Sequence, residues 1–134
     1  MANQLNAEQD LFAACREWRR LAEAKGEAIR TGNWNLCAAC QKSLQNLRDQ
    51  ITSLLPSVRQ EWSQSGSTGS ARQRLFDDSL RQLIELERRN QTLLRSVRAA
   101  AQAKIQQLNQ AKIKLKQLRS SYGFTREPAL NSYS

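Results

Sequence analysis

Histidine is absent from this 134-residue chain. With it go the commonest general base, the commonest metal ligand and every catalytic triad that uses an imidazole. Cysteine is scarce as well: three residues, an odd number with a single close pair, make no disulfide framework and suit a reducing compartment. The pair Cys37-Ala38-Ala39-Cys40 has the spacing of a metal or redox half-site, but zinc wants four ligands and only Cys15 is left to add. Both cysteines occupy the first slots of an apolar stripe, where cysteine packs as a small hydrophobe. The run Gly66–Ser70 lacks the Gly-Lys-Ser/Thr ending of a phosphate loop, and Asp77 and Asp78, adjacent on a helix, point apart and do not form a catalytic pair. The expectation is no metal, no cofactor and no enzyme activity.

Long apolar runs are missing too. Nothing approaches the ~18 uninterrupted apolar residues of a membrane span, and Glu8 and Asp10 stand where an apolar leader would follow Met1. A cytoplasmic protein without a membrane span is expected.

The most informative absence is of negative charge. Between Arg88 and Arg119 there is no carboxylate, while Arg88, Arg89, Arg95, Arg98, Lys104, Lys112, Lys114, Lys116 and Arg119 are all basic. Up to Gln64 acids and bases nearly balance, so almost all of the net charge of +9 resides in the C-terminal half. Such an excess attracts acidic partners and leaves the fold undetermined.

What is present is helical periodicity. The first segment, about 7–31, places Leu11, Cys15, Trp18, Ala22 and Ile29 on one face. Gly32 suits the left-handed position past a helix end, and Asn33 suits an N-cap. The second segment, about 34–62, carries an unbroken three-and-four stepped seam from Cys37 to Val58, continued by Trp62. Pro56 lies off that seam and predicts a kink. Trp18 and Trp62 fall on apolar stripes and read as core residues, whereas Trp34 sits at a helix start. Residues 63–70, rich in serine and glycine, read as a flexible connector.

A third helix is predicted over about 72–120, with a heptad seam through Phe76, Leu80, Leu83, Glu87, Asn90, Leu94, Val97, Ala101, Lys104, Leu108, Ala111, Leu115 and Leu118. A polar Asn90 on such a seam fixes register or leaves a place for a partner. The fold class is therefore all-α: an antiparallel helical hairpin packed on one long C-terminal helix, as a single domain over 1–123 with a flexible tail at 124–134.

The stretch Leu83-Ile84-Glu85-Leu86-Glu87-Arg88-Arg89-Asn90-Gln91-Thr92-Leu93-Leu94, the long helix after it and the pair Tyr122-Gly123 resemble the FlgN family of flagellar export chaperones. The upstream Thr31-Gly32-Asn33-Trp34-Asn35-Leu36, leading into Gln41-Lys42, is similar to the start of that family's second helix. The resemblance implies a type III export chaperone that binds the C-terminal amphipathic helices of hook-associated (FlgK/FlgL-like) proteins. It would prevent premature assembly and bring its cargo to the export gate. By position it makes Asn90, Leu94, Val97, Ala101, Ile105, Leu108, Ile113 and Leu115 the partner-binding groove and Tyr122 the residue that docks on the gate. A chain this basic also asks its cargo for a complementary acidic face.

Two readings compete. A basic coiled-coil protein binding nucleic acid would gain affinity from each neutralised phosphate; few aromatics are available to stack bases, which disfavours it. A structural adaptor would self-associate through its long helix as a homodimer, weakened by Lys104 on the seam. Chaperones for the filament cap or for needle-type secretion share the same helical patterning.

Overall fold

The computed structural model describes residues 2–122, with side chains from Ala7 onward. These residues are helical except at Gly32, Asn33 and Ser65. Helix α1 spans Ala2–Thr31, α2 Trp34–Gln64 and α3 Gly66–Tyr122. The all-α architecture is as expected. The tail at 124–134 and Gly123 lie outside the described residues. By compactness the chain divides into Met1–Arg95 and Ser96–Ser134.

In the first unit the turn between α1 and α2 forms as its residues dictate. Gly32 takes φ +73°, a left-handed value that only glycine adopts without strain. The Asn33 side-chain oxygen accepts from the Leu36 amide at 3.2 Å, and the Asn33 amide donates to the Ala28 carbonyl at 2.8 Å. A cap of this kind is worth about 1 kcal/mol.

Direction follows from cross-helix partners. Lys25 near the end of α1 donates to Gln41 near the start of α2, and Trp62 Nε1 near the end of α2 donates to Glu8 Oε1 near the start of α1 at 2.9 Å, so α1 and α2 are antiparallel. Glu8 pairs with Arg72 at 3.4 Å, Trp18 with Glu87 and Ala22 with Asn90, an ascending order that makes the described part of α3 in this unit parallel to α1.

The core is built by the expected stripes. Leu11, Cys15, Trp18, Ala22 and Ile29 of α1 are buried, as are Cys40, Leu44, Ile51, Val58 and Trp62 of α2 and Phe76 and Leu83 of α3. At one end Phe12, Trp62 and Phe76 cluster with ring centroids 5.9–6.4 Å apart, tilted or edge-on, the offset arrangement that ring quadrupoles favour. Each large side chain removed from water here contributes roughly 1.5–3 kcal/mol.

Three boundaries differ from expectation. α1 begins at Ala2 instead of about residue 7. α2 ends at Gln64 instead of about residue 62; it keeps Pro56 inside a single helix, on the exposed face, while Ile51 and Val58 stay buried on either side. The proposed flexible connector at 63–70 is not a connector: α2 runs to Gln64, Ser65 alone is non-helical, and α3 starts at Gly66. The reason lies in two glycines. Gly66 turns the chain at φ +64°, and Gly69 is buried so tightly that a Cβ there would overlap the Trp62 carbonyl.

Candidate partner-binding helix

Along α3 the fully buried positions are Gly69, Phe76, Leu83 and Asn90, each seven residues after the last. That spacing is one row of a heptad. The parallel row, Leu80 and Glu87, is half-buried. Glu87, a charge on an apolar seam, accepts from Trp18 Nε1 at 3.3 Å at the ring edge, and the Arg48 guanidinium lies over the Trp18 ring, 5.6 Å from its centroid. Sequence periodicity places Glu87 on the seam but does not reveal the indole waiting for it.

Asn90 requires a correction. The family resemblance puts it in the partner groove, but it is 2% exposed and its side-chain N–H donates to the Ala22 carbonyl at 2.7 Å. Gly26 makes the room, since a Cβ on it would come 2.7 Å from Asn90 Oδ1. Asn90 thus sets the register of α3 on α1 and is unavailable to a visitor.

Leu94 and Val97 are half-buried. From Arg98 to Tyr122 every residue is exposed, including Ala101. Large apolar side chains are among them: Ile105, Leu108, Leu115, Leu118 and Tyr122 are each more than half exposed.

The second unit has one helical segment among its described residues, and its faces follow from about 100° of turn per residue. Ala101, Leu108, Leu115 and Tyr122 fall seven apart on one row. Val97, Lys104, Ala111 and Leu118 form the adjoining row, and Ile105 borders the stripe. Ile113 does not belong to it. Two positions before Leu115, it points about 160° away, on the far side of the helix. Tyr122, assigned to gate docking, is the final residue of α3 and continues the apolar row.

Comparison with family models, with characterised proteins and with solved structures returns no match. Chemistry must therefore be read from the residues.

Among the described residues no three His, Cys, Asp or Glu side chains gather as a metal site, and no helix is long and apolar enough to cross a membrane. Cys15 and Cys40 are buried and Cys37 half-buried, all as free thiols. Burial pushes the Cys15 thiol above its ordinary value, partly offset by the neighbouring Arg16 charge, so this sulfur stays protonated and unreactive. A cleft of about 570 Å³ where α2 meets α3 is lined by Arg59, Arg74 and Arg81 together with Asp77 and Asp78, and charge there is largely compensated. Its Ser63 and Ser70 have no imidazole to activate them. Among the described residues, the apolar stripe of the second unit is the feature left exposed to solvent.

Proposed function

We propose that this chain is a cytoplasmic helix-binding chaperone for type III export, of the FlgN kind, which shields the C-terminal amphipathic helices of hook-associated proteins and brings them to the export gate. The observation that carries the reading is the row Ala101–Leu108–Leu115 with its neighbours Ile105 and Leu118, exposed along a continuous helix. An amphipathic helix laid into such a row buries two apolar faces at once, and each fully covered leucine or isoleucine contributes about 1.5–3 kcal/mol before ordering is subtracted. The terminal helices of a secreted polymer have faces that associate early if left uncovered, and covering them is what such a chaperone does. Gate docking by Tyr122 belongs to the same proposal and draws on its exposure at the helix end.

The test is a titration of the full chain with a peptide from the C-terminus of a hook–filament junction protein, read by calorimetry. Saturable binding near one to one that is abolished by Val97→Asp, with helical content retained, supports the assignment. Absence of binding to such peptides, or unchanged binding by the variant, removes it.

A further inference from the structure

The basic residues of the second unit are not spread evenly around the helix. Lys112, Lys116 and Arg119 stand at i, i+4 and i+7, the spacing that aligns side chains along one edge. That edge borders the apolar row directly, because Lys112 and Arg119 each lie four residues after a row member, Leu108 and Leu115. Lys104 falls within the stripe itself. All four are exposed, and no carboxylate occurs anywhere from Arg88 to Tyr122 to neutralise them.

Several occupants answer part of what an apolar row with a basic edge presents. A second copy of the same segment buries the row but sets lysine against lysine, with no acid on either strand to answer; like charges across a helix pair destabilise it. Nucleic acid answers the charge and leaves Leu108, Leu115 and Leu118 wet. An amphipathic helix with carboxylates along one edge satisfies both at once.

Resting on the helix-binding reading above, we infer that the occupant is a helix of another protein whose leucine- or alanine-rich face is flanked on one side by Asp or Glu at i, i+4 and i+7. Lys112, Lys116 and Arg119 select it by charge, and Lys104 takes an acid or a polar group at the centre of the contact. Charge placed at the rim acts mainly on partner choice and association rate, while the apolar row holds the complex together.

The experiment uses the full chain and three synthetic helical peptides that share one leucine–alanine face and differ only in a Glu, Gln or Lys flank, with anisotropy as the readout. The Glu peptide is expected to bind about tenfold more tightly than the Gln peptide, a preference that shrinks as salt rises. Reversing Lys112, Lys116 and Arg119 to Glu inverts the order in favour of the Lys peptide. A control reversing the exposed Lys42, Arg59 and Arg74, with the same net charge, keeps the original order. If Gln and Glu peptides bind alike, or the two triple variants behave alike, the charge assignment is overturned and the helix-binding reading stands. If none of the three peptides binds, the helix-binding reading falls and this one with it. Displacement of the Glu peptide by a DNA duplex at physiological salt, or dimerisation of the free chain at micromolar concentration, also overturns it.

Discussion

The side-chain amide of Asn90 on α3 donates to the Ala22 carbonyl on α1 at 2.7 Å, and the space it occupies exists because residue 26 is glycine. A buried polar group hydrogen-bonded across a helix pair specifies one register, since a slip of a single turn leaves it desolvated and unpaired.

This coupling predicts a double-mutant cycle. In the parent, Gly26→Ala sets a Cβ 2.7 Å from Asn90 Oδ1 and is expected to destabilise by about 1–3 kcal/mol by overpacking. In an Asn90→Ala background the clash is gone, and the same change gains up to about 1 kcal/mol of helix propensity. Urea midpoints followed by circular dichroism measure both, and additivity of the two substitutions contradicts the coupling.

Gly69→Ala probes the junction of α2 and α3. A Cβ at this buried position overlaps backbone at Trp62, which has no flexible end to move aside, so the expected loss is large, about 2–4 kcal/mol. Ser67→Ala, on an exposed position two residues earlier, is expected to change stability by no more than about 0.5 kcal/mol. Equal, small effects of both changes in a urea titration refute the close approach.

These residues show what a sequence discloses and what it conceals. The stripes through Leu11, Trp18, Leu44, Ile51, Val58, Phe76 and Leu83 are legible because burial repeats with the helical period, and each is buried or nearly so in the fold. Gly66 and Gly69 misled because composition suggests a linker, while their function is steric: one turns the chain, the other admits a neighbour's backbone. Glu87 and Asn90 were visible as polar residues on a seam, but their partners, Trp18 and Ala22, are more than 60 residues away and periodicity is silent about distant pairs. Ile113 enters the groove only through the family resemblance, and its angular position on the helix, about 160° from Leu115, removes it.

Thiol chemistry gives an independent check on burial. Cys37, half-buried near the start of α2, is expected to react with a maleimide in the native state well before Cys15 or Cys40, whose labelling waits on unfolding. Cys15 has the further protection of a raised pKa, with burial as its main cause. Because its folded-state value lies above the unfolded one, its contribution to stability is complete below the unfolded thiol pKa. It is lost as pH rises through the folded value. Mass spectrometry of partially labelled protein locates the adducts; early modification at Cys15 refutes its burial.

The faces of the second unit separate a binding stripe from mere hydrophobicity. Leu108 and Ile113 are almost equally exposed, at 58% and 56%, so a carboxylate at either position meets water and leaves the free chain's stability within about 0.5 kcal/mol of the parent. Their directions differ by about 140° around the helix. Leu108→Asp puts a charge in the centre of the row, and a helical peptide docking there would have to desolvate it; affinity is expected to fall at least about tenfold, the equivalent of 1.4 kcal/mol. Ile113→Asp faces away and is expected to leave affinity unchanged or to weaken it slightly by reducing net positive charge. Should the two variants lose binding equally, the partner grips the helix by its overall apolar content and the row of Ala101, Leu108 and Leu115 is not the contact; should Ile113→Asp alone lose binding, the contact lies on the opposite face.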